Sequence, residues 1–262
     1  MNDLIELDEN HNKFLDKPNT LCRYEDIRTY QYNKVQINSA NKYINASWIH
    51  IPYPNFFIAT QGPLSHTTED FWTMCDEYNV NIIVMLCKLK EQNFEKCYNY
   101  WNDKYMKNYQ INIIEEGYFN KDKDIIIRRF QLINKIKKKI SQYVTQIHLT
   151  SWEDHTALSV NYFDKIIKII DLLKDNKNNA PIVVHCSAGV GRTGTFISLY
   201  NLYHEIMQQI FVTKNEVIAF SIFNLVRKIK ELRMHMVENE DQYVFLYYFV
   251  DFLLNNYNEK KI

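Results

Sequence analysis

Glycine is scarce in this chain, five residues in 262, and proline is no commoner at five. No Pro/Gly/Ser-rich or low-complexity stretch interrupts the sequence, so one domain spanning 1–262 is the expectation. Net charge is lacking as well. Lys and Arg together number 31, as do Asp and Glu, which argues against nucleic acid or an anionic membrane surface as an electrostatic partner. The most apolar stretch, Tyr243 to Leu254, is broken by Asp251 and is too short to span a bilayer. The N-terminus MNDLIELDEN is acidic and lacks the basic-then-apolar order of a signal peptide, which predicts a cytosolic or nuclear protein.

Cysteine is present without pattern. Residues 22, 75, 87, 97 and 186 make an odd number with no CxxC pair, so neither a disulfide framework nor a zinc site is predicted. Reduced thiols follow, one of them free to act as a nucleophile, and no metal or cofactor is called for. The basic run Lys135-Ile136-Lys137-Lys138-Lys139 lies between two alternating apolar stretches and reads as a solvated hairpin turn.

What is present is apolar content of 46%, enough for one large core. Short strands are predicted over Tyr43–Ile49, Phe56–Thr60, Ile82–Leu86, Ile111–Glu115, Ile125–Asn134, Ser141–Leu149 and Pro181–His185, implying a mixed sheet. Helices are predicted over Ser159–Leu173, after Thr193, from a capping box at Thr213-Lys214-Asn215-Glu216 through Leu232, and from about Glu240 to Asn255. An α/β fold results.

Three of the five glycines fall in one stretch, His185-Cys186-Ser187-Ala188-Gly189-Val190-Gly191-Arg192-Thr193-Gly194. The glycines spell GxGxxG, but a dinucleotide fold needs a second parallel strand after the helix, and a helical pattern follows instead. A Walker A loop needs lysine after its last glycine; Thr195 stands there. The remaining reading is a strand, a cysteine, five loop residues, an arginine and a helix. Inward-pointing amides at a helix N-terminus make an anion-sized concavity, and the same field favours a thiolate on Cys186 over an inert core cysteine. Arg192 closes the ring with a fork suited to two phosphoryl oxygens.

With this loop the chain resembles the classical protein tyrosine phosphatases. The resemblance runs in order through CRYEDI (22–27), KYINASWI (42–49), FIATQGPL (57–64), DFW (70–72), IIVML (82–86), EQNFEKCYNYW (91–101), SWED (151–154), VHCSAGVGRTGTF (184–196) and EDQYVFLY (240–247). It implies one α/β domain around a highly twisted mixed sheet flanked by helices. It also implies hydrolysis of phosphotyrosine in proteins by a monomer, with Cys186 as nucleophile and a phosphocysteine intermediate. Ser187 to Gly191 supply amides, and Arg192 holds the equatorial oxygens. Asp154 matches the mobile acid that protonates the leaving phenolate and later activates water. Thr193 matches a hydroxyl that hydrogen-bonds the sulfur, Glu91 the acid that orients the arginine, Lys96 the lysine that meets the closed acid loop, and His185 a residue that shapes the phosphate loop. Tyr24 matches the wall that makes the pocket deep enough for phosphotyrosine, Asp26 the acid that binds substrate backbone, and Gln242 one of two glutamines around the hydrolytic water. Trp48, Trp72 and Trp101 read as core or loop support.

Departures from the family pattern qualify the rate. Glu153, Thr156 and Leu158 replace two prolines and a glycine of the acid loop, with His155 a tolerated variant. Glu238 replaces the other water-positioning glutamine and brings negative charge toward a dianionic substrate. Cys22 stands where the family usually has asparagine. An active but slowed enzyme is the expectation; the alternative is a pseudophosphatase that binds and shields phosphotyrosine proteins, and a dual-specificity or RNA phosphatase is a third reading. The abundance of Asn, Lys, Ile and Tyr, with the brevity of the domain, resembles the phosphatases of parasitoid-wasp bracoviruses, which implies action in host-cell cytoplasm.

Overall fold

The computed structural model describes residues 20–37, 42–51, 56–153, 159, 162–173, 180–214 and 217–258. Nine strands and five α-helices organise them: β1 Ala46–Ile49, β2 Phe57–Thr60, α1 Thr68–Glu77, β3 Ile82–Met85, β4 Lys90–Glu91, β5 Phe94–Glu95, β6 Tyr109–Phe119, β7 Asp122–Asn134, β8 Lys139–Leu149, α2 Phe163–Leu173, β9 Ile182–His185, α3 Gly191–Met207, α4 Ile222–Leu232 and α5 Glu240–Asn258. Seven strands form one mixed sheet in the order β1-β2-β9-β3-β8-β7-β6, while β4 and β5 pair separately. The fold is mixed α/β, as the alternation of short apolar runs with helical periodicity predicts.

Burial explains the sheet's two halves. Central β2, β3 and β9 are fully buried and run parallel, whereas β6, β7 and β8 form an antiparallel meander whose far strand faces water along most of its length. Continuous apolar runs suit the first environment and alternation the second. The ends of parallel strands open where β9 passes into α3, and there the chain places its glycine loop. Helix α3 has fourteen buried residues out of seventeen. It is a core helix, packed through Tyr200 edge-on against Phe57 at 4.9 Å, so the loop at its N-terminus is anchored from behind.

All seven predicted strands are present. The segment predicted as Ile111–Glu115 is the middle of the eleven-residue β6, and the first strand opens at Ala46 rather than Tyr43. Lys135 to Lys138 form the predicted turn between β7 and β8, with Ile136 in solvent. Trp72 and Trp101 are core side chains.

The helix predicted from Thr213 through Leu232 ends where expected but starts later, at Ile222. A π-helical turn, Gln208–Thr213, extends α3 and stops at Lys214, which is left-handed at φ 52°. The Gln209 side chain then holds both the N–H and the C=O of Ala219, at 2.8 and 2.7 Å, and keeps that segment non-helical. The next helix opens at Ser221, whose Oγ accepts from the Asn224 N–H at 3.2 Å. Asn215 and Glu216 lie outside the described residues. The predicted helix over Ser159–Leu173 is described from Phe163 onward. No helix among the described residues is long and apolar enough to cross a membrane.

Candidate active site

The loop after β9 is built by close backbone packing. Gly189 takes φ +74°, and a Cβ there would lie 2.2 Å from the Thr60 carbonyl oxygen, so neither the turn nor the contact admits a side chain. Its N–H points back to the Cys186 Sγ at 3.3 Å. The Gly62 N–H donates to the Ser187 carbonyl at 2.8 Å and ties the loop to the segment after β2. Helix α3 begins at Gly191, so its first-turn N–H groups and the positive end of its dipole face the same concavity as the thiol.

Arg192, with its side chain 1% exposed, is fixed inside this ring. One terminal nitrogen, Nη1, donates to Glu91 Oε1 and to the Trp152 carbonyl, both at 2.8 Å. Burial works against its charge, but Cys186, Cys87 and Glu91 outweigh burial and push its pKa up. The guanidinium is therefore a permanent cation beside Cys186.

The other predicted residues fall into three groups. Around the loop, Ser187 Oγ donates to the Lys96 carbonyl at 2.9 Å, and the Tyr24 hydroxyl meets Ser187 Oγ at 2.9 Å. The serine's only hydrogen being used, Tyr24 is the donor in that contact. Val190 is fully buried, and Asp26 is exposed on the segment that carries Tyr24. At the start of α3, Gln242 is buried with its Oε1 accepting the Glu238 N–H at 3.0 Å. A Cβ on Gly191 would lie 2.6 Å from Glu238 Oε2 and 3.0 Å from Gln242 Nε2, so both side chains border the concavity. The acid loop is the third group. Glu153 is exposed beside an open cavity of about 440 Å³ also lined by Lys88, Lys90, Glu91, Lys96 and Trp152, while Asp154, His155, Thr156 and Leu158 lie outside the described residues.

One expected contact differs. The Thr193 hydroxyl does not bond the sulfur; it is buried with no hydrogen-bond partner among the described residues, and Sγ takes the Gly189 N–H instead. Thr193 lies on α3, whereas the sulfur faces the loop's own amides.

Sequence reasoning missed the residue that clamps the loop from below. Arg233, fully buried after α4, donates to the Gly189 and Ala188 carbonyls at 2.8 and 3.1 Å, to Asn45 Oδ1 at 2.7 Å and to Ser47 Oγ at 3.2 Å. Burial lowers its pKa to about 10, against the pull of Tyr43 and Cys186. By holding two loop carbonyls outward it turns the intervening amides inward. Cys22 joins the same scaffold, since its sulfur accepts from Asn45 Nδ2 at 3.3 Å. In the sequence Arg233 is one arginine in LRMHMV, with nothing to mark it off from a surface cation.

His185 and His148 sit beneath the loop and are held neutral. Burial lowers His185 to about 4, with Arg23 and Arg192 adding to the effect against a bond to the Cys186 carbonyl. Burial likewise lowers His148 to about 3. Both folded-state values lie below the ordinary 6.5, so the unfolded chain takes up these protons first as pH falls. Unfolding free energy is thus expected to fall from about pH 6.5 toward pH 4, each histidine contributing about 1.4 kcal/mol per pH unit. Urea titrations across that range check it; a His148→Gln variant with an unchanged slope would count against the assignment.

Among the described residues no group of three or more His, Cys, Asp or Glu side chains is placed to hold a metal ion.

These features place Cys186 and Arg192 around one concavity, a candidate anion site, at the ends of the parallel strands of the mixed sheet. The family model described as protein-tyrosine phosphatase matches residues 19–251. Tyrosine-protein phosphatase non-receptor type 20 of Mus musculus is 36% identical over 240 residues, 89% of this chain and 54% of that protein. Receptor-type tyrosine-protein phosphatase eta of Homo sapiens is 38% identical over 241 residues, 86% of this chain and 17% of that protein. The chain thus spans about half the length, or less, of these relatives. The catalytic domain of human protein tyrosine phosphatase non-receptor type 18 superposes with a TM-score of 0.81 at 27% identity, covering 96% of this chain and 94% of that one. PTPN18 has also been solved in complex with HER2 phosphopeptides, and that chain superposes with a TM-score of 0.82 at 26% identity. The chain belongs to the protein-tyrosine phosphatase family.

Proposed function

We propose that this protein hydrolyses phosphotyrosine in proteins through a phosphocysteine intermediate, more slowly than the family's usual acid loop allows. The observation that carries the reading is the placement of Cys186 Sγ within one ring with the Gly189 N–H, the N-terminus of α3 and a buried Arg192 held by Glu91 and Trp152. Sγ attacks phosphorus as the phenolate leaves; Arg192 and the loop amides carry the equatorial oxygens. Asp154 protonates the leaving oxygen and then takes a proton from water attacking the phosphocysteine, which restores the thiolate and frees phosphate. Gln242 positions that water beside Glu238. Tyr24 walls the pocket, which favours phosphotyrosine over shorter phosphoserine, and Asp26 receives substrate backbone.

Family membership and the complex of PTPN18 with HER2 phosphopeptides support phosphotyrosyl peptides as the substrate class. The test is phosphate release from such a peptide by the wild-type chain. Release supports the reading, while binding without release would install the pseudophosphatase in its place. One observation favours that second reading: the Glu238 carboxylate lies at the N-terminus of α3, where the substrate dianion also seeks positive potential.

Slowed turnover has its own check. The double change Glu153→Pro with Glu238→Gln, which stiffens the acid loop's start and removes the competing charge, is expected to raise kcat about tenfold. An unchanged kcat would mean that neither departure limits the rate.

A further inference from the structure

Beneath His185 runs a chain of side-chain hydrogen bonds that none of the catalytic assignments uses. Arg128 Nη1 meets Gln146 Oε1 at 2.8 Å, Gln146 Nε2 meets the Tyr100 hydroxyl at 2.6 Å, that hydroxyl meets His185 Nε2 at 3.0 Å, and His185 Nδ1 meets the Cys186 carbonyl at 3.1 Å. Every member is buried or nearly so, with Gln146, Tyr100 and His185 fully buried.

Both ends fix its direction. A guanidinium only donates, so Arg128 faces the Gln146 oxygen and leaves the amide N–H for Tyr100. A carbonyl only accepts, so His185 carries its hydrogen on Nδ1, and its bare Nε2 takes the Tyr100 hydrogen. All four bonds therefore point the same way, from Arg128 to the carbonyl of the nucleophile's own residue. Arg128 is itself held by Glu116 through Nε at 2.7 Å, lies 4.7 Å from the Trp101 ring centroid, and places Nη1 3.1 Å from His148 Nδ1. His148 then donates from Nε2 to the Cys87 carbonyl at 2.8 Å.

We propose that Gln146 is a positioning residue for the reaction at Cys186: its one-way amide, oriented by Arg128, keeps His185 in the neutral Nδ1–H form that holds the start of the phosphate loop. The catalytic part of this statement rests on the phosphatase reading above. Other charged and titratable groups face the chain. Arg23 and Arg192 lie toward His185, as does His148, and Cys75, Cys87 and Cys97 surround Tyr100. Burial and the two arginines disfavour an imidazolium, so the neutral tautomer is set by the ring's two neighbours, the Cys186 carbonyl at Nδ1 and Tyr100, with Gln146 behind it, at Nε2.

The discriminating variant is Gln146→Glu, nearly identical in size but acceptor-only. A carboxylate there takes hydrogens from both Arg128 and Tyr100, so Tyr100 turns away from Nε2 and offers it lone pairs. The neutral Nδ1–H form is then lost, to the Nε2–H tautomer or to the imidazolium. Gln146→Met removes the amide's bonds to Arg128, Tyr100 and the Met85 sulfur yet leaves Tyr100 free to donate to His185. A purely structural role makes methionine the worse replacement; the one-way chain makes glutamate the worse. Imidazole 15N shifts of selectively labelled protein, read without substrate, are expected to show His185 as neutral Nδ1–H in wild type and Gln146→Met but not in Gln146→Glu. The last should lose about tenfold in kcat/KM and the methionine variant less than twofold.

If Gln146→Glu does not fold, Arg128→Met and Arg128→Lys carry the test. Methionine frees the Gln146 amide to turn and should reduce the Nδ1–H share, while lysine, also donor-only, should preserve it. A wild-type His185 that is not Nδ1–H, a Gln146→Glu variant that keeps that form, or a methionine variant slower than the glutamate one overturns the proposal. Absence of turnover in wild type, with the predicted tautomer change intact, strikes the phosphatase reading alone.

Discussion

Cys186→Ser is expected to abolish phosphate release from a phosphotyrosyl peptide, lowering kcat by about five orders of magnitude or more. The hydroxyl that replaces the thiol is held by the same Gly189 N–H, at the same mouth of α3, but is neutral where a charged nucleophile is required. Binding should survive, because in the proposed site the loop amides and Arg192, not the sulfur, hold the phosphoryl oxygens. The variant is then a substrate trap, with peptide affinity within a few-fold of wild type. Equal, near-zero release by wild type and Cys186→Ser would leave only the binding function. Release by the variant at a tenth of the wild-type rate would mean that another group attacks phosphorus.

The second large loss is expected for Arg192→Lys, about a thousandfold in kcat/KM. Arg192 Nη1 meets both Glu91 and the Trp152 carbonyl, which fixes the guanidinium plane. An ammonium has one nitrogen for both tasks. It either pairs with Glu91 and leaves the phosphoryl oxygens, or reaches them and leaves a nearly buried carboxylate unpaired. Charge is conserved in this exchange, so the loss measures geometry. A lysine variant within tenfold of wild type would show that a point charge suffices and that the fork has no role.

The parts of the molecule legible in the sequence were those whose cause is local. β3 and β9 are short runs of buried branched residues between turn signals, and the phosphate loop concentrates glycines between a cysteine and an arginine. The parts that were not legible depend on partners far away in the chain. Arg233 meets Gly189 and Asn45 across 44 and 188 residues, and Gln146 meets Tyr100 across 46. β4 and β5 are two residues each, too short to show a period, yet they carry Glu91 toward Arg192. The misplaced helix start at Thr213 had the right residue types and the wrong context: the π-turn carries α3 through Thr213 and a left-handed Lys214 ends it there.

The close contacts around the glycines bear on timing. Four of the five, Gly62, Gly189, Gly191 and Gly194, would each bring a Cβ within 2.7 Å of a neighbouring atom, three of them against backbone. Residues chosen for freedom in the unfolded chain are the ones given least room in the folded one. Most of the conformational entropy they lose is thus lost on folding rather than when a phosphoryl group arrives. The concavity around Cys186 is in this sense cast when the chain folds, not moulded afterwards around its ligand.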